Sequence, residues 1–564
     1  MREKIWIMSP YNERAKILSA ELKIPYELTQ VLINRNINDG EAAHKFLYGN
    51  LEGMHDPYLM DGLSDSVKRI RKAIYLKEKI LIFGDYDVDG VLSVVMLRKA
   101  LKSLGGDVDY YIPHRLKEGY GIKKHHINFI LKKNIKLVIT VDCGIKAVNF
   151  TKIAKEKGVD VIVTDHHLPG SELPDAVGIL DPVKNDSGYP DKKLAGVGVV
   201  FKLVQALLDN YGKSDLINHY LKLVSIGTVA DVVDLTGENR LFVKFGLEAL
   251  EKVSNKGLKS LLRASGIRTK KVTVGDVGFR IGPRINAAGR MGMADLAVRL
   301  FFEYSTLECD EISGLLNQLN SKRQKVEEKI LVQALKRIKN RNLENRYKLL
   351  VLDCDEWHRG VIGIVASKLK EMYNRPVILF ANQNGIAYGS GRSIKEFSII
   401  DCLDECKGFL EEHGGHKLAA GCVLLQKNMD IFKNNVNLIA ASKITEEDLK
   451  HKIYIDANLD FADINDPFIE KFRLLSPFGI GNPKPVFLVE NAEVVKKPQK
   501  IKNRHCKLLV RKNGRYFEAF GWRKPDYADF IQQGERINMV YSLQFSNYAG
   551  EEIISLAFED AKKR

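Results

Sequence analysis

The stretch Ile82-Phe83-Gly84-Asp85-Tyr86-Asp87-Val88-Asp89-Gly90 decides how this chain is read. An apolar run, Lys79–Phe83, feeds directly into three aspartates and a glycine. Two later runs end the same way: Lys136–Val141 leads into Asp142-Cys143-Gly144, and Val159–Thr164 leads into Asp165-His166-His167. Short β-branched runs between helical stretches predict buried parallel strands. Such sheets collect ligands outside the carboxyl ends of their strands. Asp87, Asp89, Asp142 and His166 are therefore predicted on one rim, and a further acidic segment, Gly227–Asp231, adds Asp231. One aspartate after a strand usually caps a turn. Several carboxylates at one rim repel one another unless cations neutralise them. Hard oxygen donors with an imidazole suit Mn²⁺ or Mg²⁺ better than structural zinc. A carboxylate bridging two such ions makes a phosphoester-cleaving site.

Composition sets the frame. At 564 residues the chain is too long for one core, and three or four domains are expected. Apolar content of 45% and charged content of 28% are those of a soluble globular protein. No uncharged apolar run reaches the roughly 18 residues of a membrane span, and Met1–Trp6 lacks a signal-peptide core. Seven cysteines, an odd number without a Cys-x-x-Cys pair, fit a reducing cytoplasmic setting. The net charge of +16, from 87 basic and 71 acidic residues, suits a polyanionic partner. A lysine-rich genome gives the same balance, but arginines gathered in glycine-rich segments favour nucleic acid.

Along the chain, residues 1–55 read as a helical, polar extension on the first domain. Strands alternate with helices from 56 to 310, as in an open α/β sheet. Leu315–Arg359 lacks Gly and Pro, and its apolar positions recur at near-helical spacing. This predicts a long connecting helix over 311–345. A second α/β unit, 346–445, contains strands at Tyr347–Asp353 and Arg375–Phe380 around a helix at Val361–Lys370. Residues 451–564 hold short aromatic-rich strands that suggest a small barrel.

The acidic segments and Asp165-His166-His167 resemble the DHH phosphoesterase family. A fuller set is similar to that family's single-strand-specific DNA exonucleases: Pro113–Gly121, Arg280–Arg290, Glu356–Gly363, Gly389–Ser393, Gly414–His416 and Pro477–Pro485. The resemblance runs from near residue 25 to the C-terminus. It implies two α/β domains, DHH and DHHA1, joined by the long helix, with a C-terminal OB-fold. It also implies two Mn²⁺ or Mg²⁺ ions per active site. In that family the residue matching Asp142 bridges both ions, Asp87 matches a ligand of one, and Asp89, His166 and Asp231 match ligands of the other. Several relatives have a histidine where this chain has Phe83, which leaves Asp85 or water to complete the first ion's shell. His167 is expected to face the scissile phosphate or a bound water. The implied reaction is hydrolysis by water, with no covalent intermediate.

The same resemblance assigns Arg115, Ser390 and Arg392 to the 5′-terminal phosphate, and Gly414-Gly415-His416 to a phosphate-contacting loop. Arg280, Arg284, Asn286 and Arg290 read as a surface tracking the nucleic-acid backbone, and Tyr120 as a stacking residue or a core tyrosine. Cys402, Cys406, His413 and His416 have the composition of a zinc site, but Cys402–Cys406 reads better as an amphipathic helix with both thiols buried. The implied function is 5′→3′ exonucleolytic release of 5′-mononucleotides from single-stranded DNA in recombination and repair. A monomer working with a helicase and a single-strand-binding protein is expected. The rivals are a DHH phosphodiesterase of oligoribonucleotides or cyclic dinucleotides, which lacks the C-terminal β-rich region, and a non-catalytic replication scaffold, which intact ligand positions disfavour.

Overall fold

The computed structural model describes residues 4–267, 271–548 and 551–564. It divides into two compact units, Met54–Leu449 and Met1–Gly53 with Lys450–Arg564.

In the first unit, five parallel strands lie in the order Asp107–Tyr111, Lys79–Gly84, Ile135–Val141, Asp160–Thr164, Gly178–Leu180. The apolar runs form these strands because helices bury both faces: Leu81, Ile82, Val138, Ile139, Ile162 and Val163 are all buried. Chain order reverses between Lys79–Gly84 and Ile135–Val141, which opens a crevice at their carboxyl ends. Helices Val88–Ser103, Gly196–Asn210 and Leu221–Ala230 pack beside this crevice.

The connecting helix is real and begins earlier than the spacing suggests, spanning the 35 residues Thr306–Asn340. The Ser305 side chain caps it by accepting from the Glu308 N–H. At about 1.5 Å per residue it is about 52 Å long. Its buried Ile330, Ala334 and Ile338 pack on the second sheet's helix Ile362–Tyr373 and strand Leu350–Cys354. That sheet runs Glu412–His416, Ala419–Leu425, Ile386–Arg392, Val377–Gln383, Leu350–Cys354.

In the second unit, strands Phe487–Val494, Arg536–Tyr548, Glu551–Lys563, Arg515–Gly521 and His505–Lys512 follow one another, and Phe487–Val494 pairs back onto His505–Lys512. That last pairing closes the barrel, which removes its open edges. Residues 1–55 correct the sequence reading. Lys4–Met8 is a strand, paired in parallel with His451–Ile455. The helices that follow bury Leu28, Val31, Leu32 and Leu47 in one core with Leu459, Phe468 and Phe487 of the barrel region. The segment's many charged positions make it read as polar, and an apolar helix face says nothing about which domain receives it. All seven cysteines are free. Among the described residues no helix is long and apolar enough to cross a membrane.

Candidate metal centre and phosphate pocket

The rim residues converge as their strands require. Asp87 caps helix Val88–Ser103, accepting from the Gly90 N–H at 3.1 Å. Gly90 must be glycine, since a Cβ there would lie 2.5 Å from the Asp85 carbonyl oxygen. Asp89 is buried, and its two oxygens accept from the Gly196 and Val197 N–H groups at 2.8 and 2.6 Å. These donors form the N-terminus of helix Gly196–Asn210, where the dipole favours a carboxylate. Asp142 sits just past its strand at φ +57°, a left-handed conformation uncommon for non-glycine residues but one that aspartate tolerates better than most. Asp231 terminates helix Leu221–Ala230.

His166 Nε2 lies 3.2 Å from Asp142 Oδ1, 3.6 Å from Asp231 Oδ2 and 3.8 Å from Asp89 Oδ2. Donor atoms of Asp85, Asp87 and Asp142 lie within 4.8 Å of one another, as do those of Asp89, His166 and Asp231. Among the described residues, Asp85 Oδ1, Asp142 Oδ1, His166 Nε2 and Asp231 Oδ2 are buried without a hydrogen-bond partner. Buried polar atoms are seldom left this way. Burial, then repulsion from neighbouring carboxylates, pushes Asp85, Asp89 and Asp142 well above the usual carboxylate range. The cluster cannot ionise fully without added positive charge, and its oxygen-rich donor set with one imidazole fits Mn²⁺ or Mg²⁺. Phe83 supplies no ligand: it packs against Tyr111 and His126.

Asp165 organises the adjoining histidine. Fully buried, it accepts from Ile145 N–H at 2.9 Å, His166 N–H at 2.8 Å and His167 N–H at 3.2 Å. It also meets His167 Nδ1 at 2.7 Å. That bond places the proton on Nδ1 and leaves Nε2 as the ring's free nitrogen. Burial opposes a charged His167, but the Asp165 contact outweighs it and raises the imidazole pKa. The sequence reading gave Asp165 no role of its own.

A second cluster is cationic. Arg392, at the end of strand Ile386–Arg392, donates to Ser390 Oγ at 3.2 Å and Gly391 O at 2.7 Å. Arg290 ends helix Gly282–Arg290 and donates to Gly360 O at 2.9 Å. The Arg115 guanidinium lies over the Tyr86 ring at 4.7 Å. Burial, reinforced by Arg115, Arg323 and Arg392, lowers the Arg290 pKa to about 10, with Asp87 opposing. Burial and then Arg115 lower that of Arg392. Guanidiniums whose charges bear on one another suit an anion between them. Arg323 of the connecting helix, which the sequence reading gave no role, adds its charge near Arg290 but is itself paired with Glu327 at 2.7 Å.

Other residues are placed differently from their sequence reading. Arg280 is consumed locally, donating to Asp276 at 2.8 Å, Ser265 O at 3.0 Å and Gly266 O. Arg284 donates to Arg280 O at 2.6 Å and Asn317 at 3.1 Å. Asn286 accepts from the Val88 N–H at 3.3 Å, so it braces the acidic turn. The segment is a π-helical turn and a helix, not an open loop, and its arginines satisfy carbonyls that the turns expose. Tyr120 is 43% exposed and not a core residue, and its hydroxyl donates to Asp142 O at 3.0 Å and lies 3.2 Å from His167 Nδ1. Glu412–His416 is an edge strand rather than a loop, with His416 exposed. Burial and then the charges of Lys146 and His167 lower the His416 pKa. His413 pairs with Asp404 at 2.7 Å, and Cys402 and Cys406 are buried.

An acidic rim on a parallel sheet, followed by a long helix and a second α/β sheet, defines a DHH-type phosphoesterase. Residues 79–228 match the DHH family N-terminal domain, 346–442 the DHHA1 domain and 455–560 the RecJ OB domain. The chain is 38% identical to the single-stranded-DNA-specific exonuclease RecJ of Bacillus subtilis, covering 98% of this chain and 70% of that protein. It is 31% identical to the Dickeya dadantii protein of the same name, covering 96% of this chain and 97% of that one. Among solved structures, RecJ of Thermus thermophilus in complex with Mn²⁺ superposes with a TM-score of 0.85 at 30% identity, covering 99% of this chain and 80% of that one. The chain belongs to the RecJ family.

Proposed function

We propose that this chain is a single-stranded-DNA-specific exonuclease that removes 5′-mononucleotides in the 5′→3′ direction, in recombination and repair. A helicase and a single-strand-binding protein as partners, and a monomeric enzyme, are part of the same proposal. The observation that carries it is the juxtaposition, in one compact unit, of the unpartnered acidic cluster and the arginine cluster beside Asp87.

Asp85, Asp87 and Asp142 would hold one Mn²⁺ or Mg²⁺, and Asp89, His166 and Asp231, with Asp142 shared, the second. Such ions acidify water and neutralise charge on phosphate oxygens. The chain's own residues do the rest. The helix N-terminus at Gly196 fixes Asp89, and the Tyr120 hydroxyl fixes the Asp142 carbonyl. His167, steered by Asp165, presents Nε2 to the scissile phosphate or its attacking water. Arg115, Ser390 and Arg392 hold the 5′-phosphate, so cleavage starts at an end and has fixed polarity. His416 joins them at the 5′-phosphate, and Arg290 contacts the backbone of the strand.

Initial rates on matched 5′-phosphate and 5′-hydroxyl oligonucleotides test this reading. A charge-assisted phosphate contact contributes about 1.5–3 kcal/mol, roughly tenfold to a hundredfold. Arg392→Ala should slow the phosphorylated strand by that factor and the hydroxyl strand much less. An unchanged ratio removes Arg392 from end recognition.

A further inference from the structure

Arg115 is held in an unusual way. The backbone around it is pinned from two sides. Glu118 accepts from Tyr111 Oη at 2.7 Å, His114 N–H at 2.6 Å and His126 Nε2 at 3.3 Å. From the second sheet's side, Arg359 donates to the Leu116 carbonyl. The Arg115 side chain itself makes no hydrogen bond or ion pair among the described residues, and its guanidinium lies over the face of Tyr86 at 4.7 Å. All five of its N–H donors are therefore available to a ligand.

Tyr86 is itself fixed. It stands between Asp85 and Asp87, and Gly289 packs so tightly on its carbonyl oxygen that a Cβ there would collide with it. Its ring lies among the Arg115 and Arg290 charges, beside Asp85 and Asp87. An aromatic face holds a guanidinium flat without occupying its edge donors. A carboxylate at the same place would hold Arg115 more strongly but would compete with phosphate for those donors.

We propose that Tyr86 is the positioning residue for Arg115, setting the guanidinium so that the strand's terminal phosphate meets its free edge. Tyr86 thereby links the acidic segment to recognition of the strand's end. The inference rests on reading Arg115 as a 5′-phosphate contact, and the ring face, rather than the hydroxyl, is what acts.

The test measures the 5′-phosphate to 5′-hydroxyl preference of the full-length enzyme in kcat/KM, and in oligonucleotide binding with EDTA present. Tyr86→Phe should keep the wild-type ratio within about twofold, because the face remains. Tyr86→Leu should lower it about three- to thirtyfold, the range of a partly buried cation–π contact. Adding Arg115→Ala to Tyr86→Leu should lower it no further than Arg115→Ala alone. Trifluorophenylalanine at position 86 keeps the ring's shape and removes its negative face, so it decides the matter if the leucine variant does not fold. Its ratio should fall with that of Tyr86→Leu. If Arg115→Ala leaves the ratio unchanged, the reading of Arg115 fails. If Arg115→Ala lowers it but the leucine and fluorinated variants do not, Arg115 reads the end without Tyr86 and the inference is overturned.

Discussion

Asp142 carries two burdens at once. Its φ of +57° strains the backbone, and its carboxylate stands between both donor groups. Asparagine tolerates the left-handed region far better than alanine, so Asp142→Asn isolates the charge. That variant should lose more than tenfold in kcat, keep its melting temperature and bind single-stranded DNA at least as well, since it relieves repulsion inside the cluster. Single-turnover cleavage with excess enzyme, and binding in EDTA, measure the two halves; a rate within a few-fold of wild type would remove Asp142 as the shared ligand. Asp142 was legible because it ends an apolar run whose strand character is unambiguous. Asp165 was not, although it occupies the same position on the next strand. It acts through bonds to Ile145, His166 and His167, and no residue spacing encodes a hydrogen bond across two loops.

At the scale of elements, the strand and helix pattern of residues 79–230 and 347–425 could be read because apolar periodicity is a local signal. Arg280 and Arg284 misled for a physical reason. Glycines beside arginines look alike whether the guanidinium meets a phosphate or a carbonyl, and here Arg280 meets the Ser265 and Gly266 carbonyls. Helix Gly196–Asn210 shows how an element is aimed. Its N-terminus holds Asp89, while Lys202 farther along is buried against Glu238 at 3.1 Å, donates to His55 O at 2.6 Å, and Glu238 in turn accepts from Tyr189 Oη. Truncating one partner of a buried pair leaves the other charge uncompensated, at a cost of about 3–5 kcal/mol. Lys202→Met should lower the stability of the unit containing it by about that much in urea melts. Lys202→Met with Glu238→Gln should recover a large part. A single-variant loss below about 1 kcal/mol would mean that water reaches Glu238 and that the pair does not anchor the helix.

At the scale of the molecule, the chain crosses from one unit to the other and back. Residues 4–53 share a hydrophobic core with the barrel region, not with the acidic sheet that follows them in sequence. Sequence order suggested the opposite, because neighbours in sequence are usually neighbours in space, and an amphipathic stripe does not name its partner. The experimental boundary moves accordingly. A fragment ending near residue 445 but keeping the N-terminus would expose Leu28, Val31, Leu32 and Leu47, an apolar surface that favours aggregation. Residues 54–449 form the self-contained fragment, with the acidic cluster, the arginine cluster and both sheets inside it. The barrel unit presents Trp522 at 49% exposure, stacked on Phe520 with Lys507 over that ring. Aromatic faces with nearby cations are the chemistry of single-strand binding, strongly weakened by salt. The 54–449 fragment should therefore be monomeric, cleave single-stranded DNA with a kcat close to that of the full chain, and show a raised KM. Removing backbone contacts should also flatten the dependence of log KM on log salt concentration. The measurement is kcat and KM across a salt series for fragment and full chain. Equal slopes would mean that the barrel unit makes no contact with the strand, and a lost kcat at saturating DNA in a folded fragment would assign it a part in the chemistry.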